Sequence, residues 1–196
     1  MHGLRYMTIR PARLSDLPAI TEIYNEAILR TTATFDTEPK NEAQQLEWFR
    51  AHDGRHPILV AELDGSVVGW VCLSKWSDRC AYSGTAEISL YIKEGFRGKG
   101  IGRKLMEAID AEARRLGLHT AILRIVEENV ASLHLAERFG FRHVGVMREV
   151  GYKFGRWLDV HIMQKMYSEA KSPQNLKAEV SAECRDTGTE SSEKRP

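Results

Sequence analysis

The chain has 196 residues, of which 42% are hydrophobic and 28% charged, and its formal net charge is +1. A near-neutral chain lacks the basic excess that an extended nucleic acid requires, so no nucleic-acid partner is expected. No run reaches the roughly 18–20 apolar residues of a membrane helix, and the N-terminus lacks the apolar core of a signal peptide. We therefore expect a cytoplasmic protein that does not associate with membranes.

Composition divides the chain into three parts. Residues 1–7 are predicted to be an N-terminal extension, and residues 8–167 carry the pattern of one folded domain. Residues 168–196 hold five Lys/Arg and six Asp/Glu but no aromatic residue. Such a segment buries too little apolar area to offset the entropy of ordering it, which predicts a disordered tail. A short helix over 176–183 is the alternative.

The first half of the domain begins with a predicted strand at 8–11. Ser15 is expected to cap a first helix, because apolar residues follow it at helical spacing. Asn41 is expected to cap a second helix that runs towards residues 48–49. Two apolar runs around Asp64-Gly65-Ser66 then predict a β-hairpin over 57–73.

The second half alternates between strands and helices. The predicted elements are a strand at 86–92, a helix at 102–116 ended by Gly117, a strand at 121–126, a helix at 131–139 and strands at 142–150 and 157–166. Along the strand at 86–92, Glu87, Ser89 and Tyr91 alternate with apolar residues, so the two kinds face opposite sides of the sheet. This order predicts an α/β (α+β) fold, in which helices flank a mixed, mostly antiparallel sheet.

A glycine-rich loop is the strongest chemical signal. Arg97-Gly98-Lys99-Gly100-Ile101-Gly102 joins the strand at 86–92 to the helix at 102–116. It is neither a Walker A loop nor a dinucleotide fingerprint, because the residues that define those motifs are absent. Glycines without Cβ atoms expose backbone N–H groups at the positive end of a helix, which favours an anion. A flexible turn with solvated basic residues is the alternative.

Basic residues crowd the same helix start, namely Arg97, Lys99, Arg103 and Lys104. Cations at a helix N-terminus oppose the macrodipole by roughly 0.3–1 kcal/mol each. A bound anion would offset that cost, so the cluster favours phosphate binding over the flexible turn.

Two motifs resemble those of the GNAT (Gcn5-related) N-acetyltransferases, and they occur in the same order as in that family. They are Arg97-x-x-Gly100-x-Gly102, and Asn129-Val130-Ala131-Ser132 followed by Glu137-Arg138-Phe139-Gly140-Phe141. The resemblance covers about residues 8–167. It implies acetyl-CoA as the acetyl donor, with its pyrophosphate on the loop amides and its pantetheine along the preceding strand. The implied coenzyme-binding residues are Leu90, Tyr91, Ile92, Arg97, Gly98, Lys99, Gly100, Ile101, Gly102, Arg103, Asn129 and Ser132.

A narrower resemblance connects the chain to phosphinothricin and methionine sulfoximine N-acetyltransferases. It is carried by three segments, Thr37-Glu38-Pro39, Thr85-Ala86-Glu87 and Gly151-x-Lys153-x-Gly155-x-Trp157-x-Asp159, together with Trp76, Arg79, Ala81 and Tyr82. It implies acetylation of the α-amino group of a small glutamate- or methionine-like amino acid, in a homodimer. Lys153 and Trp157 are expected to close the pocket, within one chain or across the dimer interface.

Glu87 is the predicted general base. An amine is mostly ammonium near neutral pH, and it must lose a proton before it attacks a thioester. Glu87 lies in a sheet that is otherwise expected to be covered by apolar residues, and a desolvated carboxylate has a raised pKa, which suits a base. A structural salt bridge is the alternative. The resemblance places the oxyanion on a backbone N–H of residues 90–92.

An α-amino acid carries a carboxylate, which a guanidinium binds with two parallel hydrogen bonds. Arg79 is the predicted partner, because it matches the substrate loop that the resemblance implies. The predicted substrate-binding residues are Phe35, Ser77, Asp78, Arg79, Tyr82, Glu87, Ile88 and Ser89. For the residues other than Arg79 and Glu87, simple packing remains an equal alternative.

One position departs from the family. Ala136 occurs where these enzymes carry a histidine or tyrosine that protonates the leaving thiolate, and Ala136 has no proton to give. His134 lies about 200° around the helix from position 136, so it is not expected to substitute. Two other functions therefore stay open, namely acetylation of a protein or peptide amine and coenzyme A binding with degenerate catalysis.

No metal site is predicted, because the seven histidines show no metal-ligand spacing and the three cysteines are unevenly spaced.

Overall fold

Residues 7–167 are described by the computed structural model of the chain. They form β1 (Met7–Pro11), α1 (Leu17–Arg30), α2 (Glu42–Arg50), β2 (Ile58–Leu63), β3 (Ser66–Lys75), β4 (Thr85–Ile92), α3 (Ile101–Arg115), β5 (Thr120–Val126), α4 (Val130–Arg138), β6 (Arg142–Lys153) and β7 (Arg156–Met166). Short 3₁₀ turns precede α1 (Leu14–Asp16) and β4 (Cys80–Tyr82). Met7, predicted to precede the domain, lies in β1. The rest of the predicted extension and the predicted tail lie outside the described residues.

The seven strands form one sheet in the order β1-β2-β3-β4-β5-β7-β6. Within it β4 and β5 run parallel, and the other neighbours described are antiparallel. Helix α3 provides the crossover that a parallel pair needs. The predicted mixed, mostly antiparallel sheet with flanking helices is confirmed.

Local sequence signals set several element boundaries as predicted. The Asn41 Oδ1 atom accepts a hydrogen bond from the Gln44 backbone N–H at 2.9 Å, and the Asn41 N–H donates to Gln44 Oε1 at 3.0 Å. This reciprocal capping starts α2. Asp64 and Gly65 have φ angles of 49° and 79°, the left-handed pair that a two-residue hairpin turn requires.

The predicted cap of the first helix is wrong. Ser15 lies inside the 3₁₀ turn, and Asp16 occupies the N-cap position of α1. The Asp16 carboxylate accepts a hydrogen bond from the Arg13 N–H at 2.7 Å and pairs with the Arg10 guanidinium, also at 2.7 Å. The Asp16 carboxylate, paired with the partly buried Arg10 of β1, thus holds the 3₁₀ turn that precedes α1.

The sheet carries a separate hydrophobic layer on each face. On one face Ala86 and Ile88 of β4 pack with Leu105 and Ile109 of α3. On the other, Tyr91 of β4 packs among buried residues of α1 and β3. The predicted alternation along β4 is confirmed, and it points Glu87, Ser89 and Tyr91 towards the face that α1 and α2 cover. Among the described residues, no helix is long and apolar enough to cross a membrane.

Candidate active site

Strands β4 and β5 separate part-way along their length. Their parallel ladder joins residues 85–87 of β4 to residues 120–122 of β5 and, in the described chain, extends no further. On its other edge β4 remains paired with β3 as far as Ile92. Residues 88–92 therefore have one strand edge that is not paired with β5, and such an edge can bind an extended ligand through its backbone groups.

A cavity of about 600 Å³ occupies this gap between the strands. We call it the central cavity. Its wall includes eight of the residues selected from the sequence, which are Phe35, Glu87, Ile88, Ser89, Leu90, Tyr91, Asn129 and Ser132. The remaining predicted residues, in the glycine loop, the 77–82 segment and Ile92, lie outside the lining of this cavity in the described chain.

The glycines of the loop serve two different purposes. Gly98 and Gly100 have φ angles of +73° and +82°, and a Cβ atom on either would meet nothing within 4 Å. Both leave the approach to the start of α3 open. A Cβ on Gly102 would instead lie 3.1 Å from Ile92 Cδ1. Gly102 therefore lets α3 pack closely against β4, while its backbone N–H remains a predicted contact of the coenzyme.

The basic residues of the loop also fall into two groups, one bonded to the end of β4 and one exposed around the start of α3. Arg97 Nε donates a hydrogen bond to the Ile92 carbonyl at 3.2 Å, and its guanidinium lies 3.4 Å from Glu26 of α1. Arg97 thus fastens the loop to the end of β4. Lys99, Arg103 and Lys104 are exposed around the first turn of α3. These three cations and the open helix N-terminus form the part of the loop that is suited to phosphate groups.

Helix α4 begins at the wall of the central cavity. The Asn129 side chain accepts a hydrogen bond from the Ser132 N–H at 3.3 Å and caps the helix. Ala136 is fully buried in the layer that includes α3, and His134 is exposed. Neither residue lines the central cavity, so position 136 provides no proton donor there.

Glu87 is bound to a partner that the sequence analysis missed. Its two carboxylate oxygens accept hydrogen bonds from Arg124 Nε and NH2 at 2.6 and 2.7 Å. These bonds raise the pKa of the Arg124 guanidinium. The side chain of Glu87 is 16% exposed and that of Arg124 51%. The predicted apolar surroundings of Glu87 are therefore wrong on the β5 side, where the salt-bridge alternative describes the arrangement.

The segment between β3 and β4 carries the predicted substrate residues Ser77, Asp78, Arg79 and Tyr82. Arg79 and Tyr82 are exposed. Trp76, on the same segment, lies beneath Arg124, whose Cζ atom is 5.9 Å from the indole centroid. The segment thus reaches the Glu87–Arg124 pair through Trp76.

The hairpin of β6 and β7 closes the central cavity from within the same chain. Lys153 is only 5% exposed, and its Nζ atom donates a hydrogen bond to the Thr34 carbonyl at 2.7 Å. Desolvation by burial lowers the pKa of this ammonium. Gly151 faces the ring of Phe35, which would lie 2.1 Å from a Cβ at that position. Trp157, by contrast, is 60% exposed, so within one chain it does not close the cavity.

The chain matches a known family over most of this site. Residues 19–141 fit the model of the acetyltransferase (GNAT) family. The chain belongs to that family.

Named relatives match this GNAT protein over most of their length. It is 42% identical to the L-methionine sulfoximine/L-methionine sulfone acetyltransferase of Pseudomonas aeruginosa, over 80% of this chain and 92% of the relative. It is 39% identical to the L-amino acid N-acyltransferase MnaT of Escherichia coli, over 85% and 98%. A crystal structure of a phosphinothricin acetyltransferase from Sinorhizobium meliloti in complex with acetyl-CoA superposes with a TM-score of 0.81 at 35% identity, covering 84% of this chain and 90% of that one.

The sequence of this acetyltransferase contains one signal that points to Arg124, the partner of Glu87. Arg124 is the single charged residue in β5 (Thr120–Val126), whose other residues are apolar or, at Thr120, uncharged. A charge in the middle of a buried strand requires a partner. Its identity as Glu87 depends on the β4–β5 register, which pairs Glu87 with Ile122.

Tyr24 and Tyr91 add two phenol groups to the wall of the central cavity. The Tyr24 hydroxyl lies 3.0 Å from Thr34 Oγ1 and donates a hydrogen bond to Asp36 at 2.8 Å. Burial raises the pKa of Tyr24 to about 12, and it also raises the pKa of Tyr91. Both phenols are therefore protonated near neutral pH.

Proposed function

We propose that this GNAT protein transfers the acetyl group of acetyl-CoA to the α-amino group of a small amino acid of the methionine sulfoximine or phosphinothricin type. Transfer is direct, in a ternary complex. One observation carries the proposal: the gap between β4 and β5 places an unpaired strand edge, a 600 Å³ cavity and the Glu87 carboxylate in continuity.

The coenzyme is proposed to lie along the gap, with its pyrophosphate at the start of α3. The open surface at Gly98 and Gly100 and the exposed cations around it support this position of the pyrophosphate. The unpaired edge of residues 88–92 supports a pantetheine that lies along the gap, because pantetheine carries amide groups that can pair with a strand. Asn129 and Ser132 form the facing wall. The acetyl-CoA complex of the S. meliloti relative supports the same donor here.

Glu87 is proposed to accept the proton of the ammonium group, directly or through one water. The amine then attacks the thioester carbonyl, which forms the C–N bond and a tetrahedral intermediate whose oxyanion faces a backbone N–H of residues 90–92. The C–S bond breaks as this intermediate collapses and the nitrogen loses its second proton to water, so no covalent enzyme intermediate is needed. With alanine at position 136, the thiolate takes its proton from water. Arg124 acts as a positioning residue that fixes the carboxylate.

The acceptor amino acid is proposed to bind between the 77–82 segment and residues 34–36. Arg79 pairs with its α-carboxylate, while Ser77, Asp78 and Tyr82 complete that side of the site. The contact between Trp76 and Arg124 supports this placement, because it joins the segment to the proposed base. Phe35, held against Gly151, closes the opposite side.

We also propose that the enzyme is a cytoplasmic homodimer that pairs through the β6–β7 hairpin. The exposed large hydrophobic residues of that hairpin are Val144, Met147, Val150, Tyr152, Phe154, Trp157 and Met166. Apolar side chains concentrated on one hairpin suit an interface between two copies. Sedimentation analysis of the Trp157→Glu variant tests this, since a monomeric variant would support the interface and an unchanged dimer would contradict it.

A thiol-release assay with acetyl-CoA and a panel of amine acceptors tests the proposed function. The panel contains methionine sulfoximine, methionine sulfone, phosphinothricin, the common amino acids and short peptides. Release of coenzyme A with a free amino acid supports the proposal. Turnover confined to peptides would replace it with a peptide acetyltransferase, and coenzyme binding without turnover would indicate degenerate catalysis.

A further inference from the structure

A second cavity, of about 470 Å³, lies on the face of the sheet that α1 and α2 cover. We call it the side cavity. Four residues line both it and the central cavity, namely Tyr24, Asp36, Ser89 and Tyr91. The two cavities are therefore neighbours that share a wall.

The floor of the side cavity begins next to the proposed base. In the β3–β4 ladder, Ser74 pairs with Glu87 and Cys72 pairs with Ser89. Ser74, Cys72 and Ser89 all line the side cavity. An amine bound at Glu87 therefore lies beside the floor of the side cavity, because Ser74, the ladder partner of Glu87, is part of that floor. The rest of the same molecule can extend over the floor.

The walls of the side cavity are largely aromatic. Trp70 contacts Tyr91 with ring centroids 4.8 Å apart, and Trp48 of α2 with centroids 5.3 Å apart. The Trp48 and Trp70 rings meet edge to face, the Trp70 and Tyr91 rings are tilted by 36°, and together the three form an apolar surface. This surface suits the carbon or thioether body of a side chain.

Two polar atoms in these walls lack partners. Gln45 Oε1 and Trp70 Nε1 are buried without a hydrogen-bond partner in the part of the chain that the structure describes. Both residues line the side cavity. A buried donor and a buried acceptor without partners are costly, and a ligand group that both donates and accepts hydrogen bonds would relieve that cost.

The charges around the side cavity disfavour an anionic ligand. Its charged lining residues are Asp36, Lys40 and Glu47. Lys40 lies 3.0 Å from Asp36, so that pair is neutral, and Glu47 adds a negative charge. Lys153, close to Asp36, donates to the Thr34 carbonyl and does not line the cavity.

We propose that the side cavity receives the side chain of the acceptor amino acid. It selects an uncharged side chain with an apolar body and an end group that donates and accepts hydrogen bonds, over an anionic side chain. This inference rests on the proposed function and deepens it, because it separates the two substrate types that the relatives' names offer. Methionine sulfoximine fits this description, and phosphinothricin, with its phosphinate, does not.

The first test fills the side cavity. Ala51 lines it at the end of α2, whereas Ala43 on the same helix is exposed outside its lining. Ala51→Trp should raise the KM for methionine sulfoximine at least tenfold and leave the affinity for acetyl-CoA, measured by calorimetry, unchanged. Ala43→Trp should change neither. An unchanged KM in Ala51→Trp would overturn the placement of the side chain.

The second test reverses the local charge. Glu47→Lys should raise the ratio of kcat/KM for phosphinothricin to kcat/KM for methionine sulfoximine about tenfold, because it adds a cation to the lining. Glu42→Lys, on the same helix outside the cavity lining, should leave that ratio unchanged. A wild-type enzyme that prefers phosphinothricin, or a ratio insensitive to Glu47→Lys, would overturn the selectivity. A wild-type enzyme that acetylates no amino acid would refute the proposed function itself, and this outcome is visible before any variant is made.

Discussion

Glu87 of β4 and Arg124 of β5 form a bidentate ion pair at the point where their two strands part. The β4–β5 ladder ends on one side of this ion pair, and the central cavity begins on the other side. A guanidinium that donates to both oxygens of a carboxylate restricts its orientation. The geometry thus presents an oriented carboxylate at the entrance to the gap in the sheet.

Replacement of the proposed base should remove most of the activity. Glu87→Gln keeps the shape of the side chain but cannot accept the ammonium proton, so kcat/KM should fall by about 10²–10⁴. Acetyl-CoA affinity should stay nearly constant. The matched control is Glu112→Gln, which removes a carboxylate paired with Arg115 on α3. Steady-state kinetics decide the matter, and wild-type turnover in Glu87→Gln would reject the role.

Removal of the positioning guanidinium should lower turnover without affecting coenzyme binding. Arg124→Gln removes both guanidinium hydrogen bonds to the Glu87 carboxylate, so the carboxylate is no longer held in one orientation and kcat should fall about tenfold. Acetyl-CoA affinity, measured by calorimetry, should stay constant, and the control Arg115→Gln should keep the wild-type kcat. Equal kcat values for Arg124→Gln and Arg115→Gln would contradict a positioning role for Arg124.

Substitution in the glycine loop should weaken coenzyme binding. Gly100→Leu places a side chain over the open helix start, and calorimetry should show at least a tenfold loss of acetyl-CoA affinity. Gly65→Leu is the matched control, since its φ of +79° resembles the +82° of Gly100 and neither Cβ meets an atom within 4 Å. Both variants should lose about 1–2 kcal/mol of stability from left-handed backbone strain. Equal coenzyme affinity in the two variants would argue against the loop as the phosphate site.

Displacement of Phe35 should weaken amino-acid binding. In Gly151→Val the new side chain meets the Phe35 ring, which must move away from the mouth of the cavity. The KM for the amino acid should rise several-fold while acetyl-CoA affinity holds. Gly145→Val on the same strand has no atom within 4 Å of its Cβ and should leave both constants unchanged. Equal KM values for the two variants would show that Phe35 does not shape the acceptor site.

Local sequence patterns predict the strands and helices and several of the contacts that begin or end them. The capping pair Asn41–Gln44, the Asp64-Gly65 turn and the alternation along β4 depend on neighbouring residues, and each lies where the sequence predicts it. Every predicted strand and helix is present, with ends displaced by at most three residues. The prediction for Ser15 is wrong because the next residue, Asp16, accepts the Arg13 N–H and pairs with Arg10, so that a 3₁₀ turn precedes the helix.

The sequence by itself determined the family, the order of strands and helices, the glycine loop and Glu87, since short-range periodicity, turn chemistry and local motifs specify these features. Only the tertiary structure decided what surrounds them. The Arg124 partner depends on the β4–β5 register, the Lys153 contact joins residues 119 positions apart, and the side cavity arises where α2 covers the β3–β4 ladder. Long-range registers are set by the burial of whole strand and helix faces, which no local window of sequence contains.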